Sequence, residues 1–184
     1  MKKNKCFLIL LCAVLALGIF GLSGCSGDAE DPGAQNGSEE PAEQTYRVAL
    51  FFANEKYIAT GDESQEKFMV YEVEMTSKPG DAYKNALELL RTAPEDGYST
   101  VIKDQIKFND VYPDGNTVMV DLSSDGLNGG SLDETFLISQ IVGTLINSFD
   151  EVDQVQFLVD GEVAETLMGH VGTADPFTQD LFAE

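Results

Sequence analysis

Of the common side chains, the cysteine thiolate is among the best nucleophiles near neutral pH. The three cysteines of this chain, Cys6, Cys12 and Cys25, all fall within its first 25 residues. Lys2, Lys3 and Lys5 form a positive cluster, residues 6–20 are an apolar run without charge, and Leu22 with the small residues Ser23 and Gly24 leads directly into Cys25. This is the basic, apolar and small-residue layout of a secretory signal peptide, with cleavage expected between Gly24 and Cys25. A spanning helix needs about 20 apolar residues, more than this run provides. The next charges, Asp28, Glu30 and Asp31, are acidic rather than a basic stop-transfer cluster. An uncleaved anchor helix with an incidental cysteine is the competing reading; position, spacing and polarity favour the cleaved one.

The segment Leu22-Ser23-Gly24-Cys25 resembles the bacterial lipobox. That resemblance implies acylation of the Cys25 thiol, cleavage before it, and palmitate-type chains holding the mature protein on the extracytoplasmic face of the cell membrane. Each buried CH₂ contributes about 0.8 kcal/mol and stable anchoring takes more than one chain, which a diacylglyceryl group supplies. Cys6 and Cys12 depart with residues 1–24 and Cys25 is spent on lipid. No thiol is then left for a disulfide, a redox centre or a thiolate metal site.

Other candidate chemistry is weaker. Asp121-Leu-Ser123-Ser-Asp125-Gly126 spaces oxygens as a calcium loop does, with glycine at position six. Position twelve, which requires a bidentate Glu, is Leu132, and a strand enters where a helix is needed. The segment reads instead as a glycine-rich strand-to-helix connection. His170 is the sole histidine; zinc sites take several His or Cys ligands, and a Ser-His-Asp triad here lacks a Gly-x-Ser-x-Gly elbow. His170 is expected in a turn after the last strand. No phosphate-binding glycine loop or dinucleotide fingerprint occurs, and among 32 Asp+Glu a chance carboxylate pair says little about glycosidase chemistry. No catalytic residue, metal or cofactor is assigned, and the chain is expected not to be an enzyme.

Loss of residues 1–24 removes three of the 11 Lys+Arg and none of the 32 Asp+Glu, leaving eight against 32, a net charge of −24 over 160 residues. Such a surface repels nucleic acid, anionic headgroups and anionic wall polymers. It suits solubility, a cation-rich layer or a basic protein partner.

The elements follow from patterning. Residues 26–45 are dominated by Gly, Ser, Pro, Ala and acids without a large apolar side chain, a composition expected to form a disordered acidic linker behind Cys25. Residues 46–52 are a strand-like apolar run, and 67–75 alternate Met69, Tyr71, Val73 and Met75 with Glu72 and Glu74. A polar hairpin loop is expected over 56–66. Tyr83, Ala86, Leu87 and Leu90 form one helical stripe over 81–91, opened by Pro79-Gly80-Asp81. Strands are expected at 105–111 and 117–122 around the turn Pro113-Asp114-Gly115-Asn116. Ser131-Leu132-Asp133-Glu134 reads as a capping box with Ser131 as N-cap and Glu134 reaching back. The helix it opens, through Phe149, is apolar enough to be the most buried element. A strand at 154–159 turns at Asp160-Gly161 into 162–167. The expected fold is α+β: a single domain over 46–184, a mostly antiparallel sheet with two helices packed on it, in the order β-β-α-β-β-α-β. Phe51, Phe52 and Phe149 are core candidates, although an exposed aromatic patch would mark an interface.

Several phrases in this order resemble the GerM-type (GerMN) sporulation and spore germination domain. Val118-Met-Val120-Asp121-Leu122-Ser123-Ser124 resembles its V-x-V-D-L-S strand. The helix from Ser131 with Val155-Gln-Phe157-Leu158-Val159-Asp160-Gly161 is similar to its most diagnostic stretch. Ala86-Leu87-Glu-Leu-Leu90 before Pro94 is similar to its first helix, and Leu167-Met-Gly169-His170 to its closing turn. The resemblance spans residues 46–177 and implies a small domain similar to the ring-building modules of secretion-like assemblies, with roles in envelope assembly and no established catalytic residues. This chain has one copy, whereas the sporulation protein that names the family has two. The expectation is a lipid-anchored, non-catalytic interaction or assembly module with a protein partner, or self-association as a homo-oligomer. The alternative is a binding lipoprotein for a small ligand, cation or wall fragment.

Overall fold

The computed structural model describes residues 41–182; the expectations for the signal segment, Gly24, Cys25 and the linker up to residue 40 lie outside them. β1 (Gln44–Asn54) and β2 (Phe68–Ser77) form an antiparallel hairpin through ten consecutive pairs, Gln44↔Ser77 to Ala53↔Phe68. β1 begins two residues inside the stretch expected to be linker, because Gln44 and Thr45 pair with Ser77 and Thr76. The polar loop expected over 56–66 is corrected in part: Glu55–Thr60 forms a short helix, α1. Asn54 caps it by accepting from the Lys56 N–H at 3.0 Å, and Gly61, at φ 63°, closes it in the left-handed region with its N–H on Tyr57 O.

After a 3₁₀ turn at Pro79–Asp81, α2 (Ala82–Leu89) buries Tyr83, Ala86 and Leu87 of the stripe read from its 3.6-residue spacing, together with Ala82, and the fourth stripe residue, Leu90, is buried as its C-cap. β3 (Tyr98–Ser99) adds to the other side of β1 opposite Asn54 and Ala53. The second sheet starts with β4 (Phe108–Asp114) and β5 (Thr117–Leu122), joined by Gly115-Asn116. Only Gly115 takes positive φ, at 65°, the pattern of a II′ hairpin turn, so the strands run closer to the turn than the sequence suggested. Residues 105–107 stay outside β4. There Arg91 reaches from the end of α2 to the carbonyls of Lys103 and Ile106, both at 2.9 Å, and stacks over Phe108.

α3 (Ser131–Ser148) connects β5 to β6 (Gln154–Val159), which pairs parallel to β5 from Thr117↔Gln154 to Leu122↔Val159. A parallel pair needs such a crossover. Asp160 and Gly161, both at positive φ, turn the chain into β7 (Glu162–Val163), shorter than the strand expected over 162–167. The fold is therefore α+β, with the strands divided between a sheet ordered β2-β1-β3 and one ordered β4-β5-β6-β7. All pairings but β5–β6 are antiparallel.

α3 is the central element and packs on β1, β6 and α2. Leu137, Ile138, Ile141, Val142 and Leu145 are fully buried against Val48, Leu50 and Phe52 of β1, Leu87 of α2, and Val155 and Phe157 of β6 in one core. The same helix sets Gln140, Thr144 and Ser148 at four-residue spacing along β1, the first two fully buried. Thr144 Oγ1 accepts the Phe51 N–H at 3.0 Å, Ser148 Oγ accepts the Ala49 N–H at 2.9 Å, and Gln140 Nε2 donates to Phe51 O at 3.1 Å. One helix face thus satisfies backbone groups that a further strand would otherwise bond, which buried amides require.

The N-cap is corrected. It is Gly130, extended at φ −86°, ψ 178°, with its N–H donating to Asp133 Oδ2 at 2.9 Å. The third helical residue is therefore Asp133, and Glu134 is released for another role.

Candidate interaction surface

A groove of about 640 Å³ lies on the face of the β1–β2 hairpin opposite the core. Phe51 and Val70 face each other across the two strands and form its floor. α3 contributes Leu132, Thr135, Phe136 and Ser139, at the i, i+3, i+4, i+7 spacing of one helix face. α1 and residues 63–68 close one side, and the C-terminal 3₁₀ segment Gln179–Phe182 closes the other.

Aromatic rings set its shape. Phe68 packs edge-on to Phe136 at 5.3 Å and to Phe182 at 6.1 Å, Tyr57 meets Phe136 at 6.3 Å, and Phe51 meets Phe182 at 5.6 Å. Gly143 makes the floor possible, since a Cβ there would lie 2.5 Å from Phe51 Cδ1. The 62–66 wall is held by Asp62, which accepts the Ser64 N–H at 3.0 Å and hydroxyl at 2.7 Å; those bonds hold its carboxyl below the usual range. Asn54 ties the wall to β1 through a bond to Glu66 O at 2.8 Å. Val70 and Leu132, both on the lining of the groove, remain 47 and 49 % exposed.

The most polar construction lies elsewhere, at Glu134. Its side chain is fully buried. Oε1 accepts the N–H groups of Leu167 and Met168 at 2.8 and 2.7 Å, and Oε2 those of His170 and Val171 at 2.7 and 3.1 Å. Burial opposes ionisation, but four aimed N–H donors outweigh it and hold the carboxyl below its ordinary value. The lone pairs are consumed by the protein's own loop, so this is a structural clasp.

The calcium-like segment is likewise tied into the fold. Asp121 Oδ1 accepts the Gly161 N–H at 2.9 Å, Asp125 pairs with Lys107 at 2.6 Å, and Asp160 Oδ1 accepts from Ser124 N and Asn109 Nδ2. Gly126 sits at φ 99°, and a Cβ there would meet Gln105 O at 2.1 Å; its glycine serves close packing. Among the described residues no cluster of three His, Cys, Asp or Glu is disposed around a cation. His170 lies in the loop after β7 and enters through its backbone N–H on Glu134. The groove was not legible beforehand: Phe51 reads as core, and only folding brings it beside Phe182.

The profile for sporulation and spore germination (Germane) matches residues 49–165, more than half of the chain, from within β1 to just past β7. The chain belongs to that family. The fold agrees with two solved relatives from Bacillus subtilis. The first GerMN domain of the sporulation protein GerM is 18 % identical, with a TM-score of 0.58, covering 73 % of this chain and 98 % of that one. The tandem GerMN domains of the same protein are 14 % identical, with a TM-score of 0.59, covering 74 % of this chain and 47 % of that one. The chain thus spans about half the length of the tandem protein, as one domain of the family does. A candidate lipoprotein from Clostridium perfringens is 13 % identical over 76 % of this chain and 89 % of that one, with a TM-score of 0.49. No match is found among curated proteins.

Proposed function

We propose that this member of the sporulation and spore germination family is a lipid-anchored, extracytoplasmic interaction module of the bacterial envelope, without catalytic activity of its own. The observation that carries the reading is the groove: an aromatic-floored concavity with exposed Val70 and Leu132 on its margins. The lipobox resemblance at Leu22–Cys25 supplies the anchor, and Cys25 carries the acyl chains. Crosslinking in native membranes through a photoreactive residue at Leu132 recovers a discrete partner; a protein that stays free at every groove position overturns the reading. Cys25→Ala prevents fatty-acid labelling and, because the cut follows acylation, leaves residues 1–24 attached. A native chain that carries no fatty acid and keeps residues 1–24 has a helical anchor instead.

A second reading has one observation in its favour. The groove volume of about 640 Å³ falls within the roughly 300–1,000 Å³ of small-molecule sites. A thermal-shift screen against metals and wall fragments decides it: stabilisation by one compound, lost in Phe136→Ala, makes the module a ligand-binding lipoprotein.

A further inference from the structure

β2 is the outer strand of its sheet, bonded only to β1 among the described residues. The other long edges are managed. α3 and β3 cover the far side of β1, while β4 is broken by an irregularity between Phe108 and Asp110 and carries Pro113. β2 has ten residues in unbroken register, with neither proline nor bulge.

The direction of its free backbone groups follows from β1. Ala49 and Phe51 turn their N–H groups toward Ser148 and Thr144 of α3. Val48, Leu50 and Phe52 therefore face β2, opposite Val73, Tyr71 and Met69. In an antiparallel ladder both backbone groups of a residue point the same way. Val70, Glu72 and Glu74 thus present theirs to the open side. Phe68, Val70, Glu72 and Glu74 also share one face, the face that holds the groove. Val70, Tyr71 and Glu72 are exposed in succession, as expected of an edge without a partner strand among the described residues.

We propose that β2 is a docking edge for an extended basic segment of a partner protein, which adds as a fourth strand. Two alternate Lys or Arg side chains lie opposite Glu72 and Glu74, and apolar residues at the following alternate positions lie opposite Val70 and Phe68 and enter the groove. The inference rests on the interaction-module reading and names the partner's chemistry. Charge selects this occupant over a second copy: Arg47, 3.6 Å from Glu72 and in register with Glu74, is one cation beside two carboxylates, and pairing two β2 strands in register places Glu72 and Glu74 against their like, where directly opposed like charges destabilise. The described residues are acidic as a whole, with eight Lys+Arg against 26 Asp+Glu, which draws a basic segment in. Strand addition supplies affinity through main-chain bonds and specificity through alternate side chains.

The test uses the full lipidated chain in detergent and end-blocked peptides with two alternate Lys followed by two alternate Leu, Thr between. The Lys peptide binds about tenfold or more tighter than its Glu counterpart, as two opposite-charge against two like-charge cross-strand pairs require. N-methylation of the peptide's alternate, edge-facing amides removes binding, with no change to the protein that could disturb its folding. Glu72→Lys combined with Glu74→Lys reverses the preference toward the Glu peptide. Equal binding of the N-methylated peptide, or an unchanged preference in the double variant, overturns the proposal. Failure of the Lys peptide while Leu132 still crosslinks to a discrete partner sinks the docking edge and leaves the wider reading standing; failure of the Lys peptide together with absence of the crosslink sinks both.

Discussion

Replacing Glu134 by Gln tests the clasp between α3 and the loop that follows β7. The carboxylate satisfies four backbone N–H groups, two on each oxygen. An amide of the same shape keeps one acceptor oxygen and turns an NH₂ donor toward the other two, leaving two buried N–H groups without acceptors. Each orphaned donor costs about 1–3 kcal/mol, so Glu134→Gln destabilises by about 2–6 kcal/mol. With a urea slope of about 2 kcal/mol/M, the unfolding midpoint falls by about 1–3 M when followed by circular dichroism at pH 7. The folded carboxyl titrates below its unfolded value, about 4.3. Its stabilisation is therefore fully present above the unfolded value and is lost as pH falls through the folded one. The gap between native protein and variant narrows below about pH 4, because a protonated Glu134 also offers a donor to two donors. Hydrogen exchange at Leu167, Met168, His170 and Val171 accelerates in the variant at neutral pH. A midpoint shift under about 0.3 M, or a gap that does not change between pH 7 and pH 3, would refute the assignment of four charge-assisted bonds.

Gly143→Ala forces Phe51 and Phe182 off the helix; overpacking of this kind costs about 1–3 kcal/mol and lowers the melting temperature by several degrees in a thermal scan. Thr144→Val keeps the shape but orphans the Phe51 N–H, lowering the urea midpoint by an amount equivalent to about 1–3 kcal/mol, and Thr144→Ser restores most of it. Tyr83 is pushed up to about 12 by burial and by its 2.9 Å bond to Glu151, so one of the six tyrosines titrates last in an absorbance titration. Because its folded value is raised, the stabilisation it contributes is complete below pH 10 and lost as pH climbs through about 12; Glu151→Gln brings the late transition down.

Element types were largely legible because period is a property of the chain. The stripe Tyr83, Ala86, Leu87, Leu90 specifies α2, and the run of apolar residues after Ser131 specifies a helix buried nearly all round. The hairpin turns at Gly115 and at Asp160-Gly161 could be read because positive φ restricts which residues fit. α1 was missed: its six residues carry no apolar stripe, and its caps, Asn54 and Gly61, also suit a loop. The capping box slipped by one residue because Asp133 and Glu134 are chemically alike. Which of them reaches back to the helix start depends on where the loop after β7 packs, more than thirty positions along the chain.

What the sequence alone determines here is the acidic character of the domain and the order of its elements, since each depends only on residue type and near neighbours. What the tertiary structure decides is how those pieces are used. It divides the strands between two sheets, spends the polar face of α3 on the edge of β1, and buries Glu134 under four distant amides. It also leaves β2 as the outer strand of its sheet among the described residues and gathers Phe51, Phe68, Phe136 and Phe182 around one groove. Each of these joins residues far apart along the chain, and their energies rest on distance and burial, which no local pattern encodes.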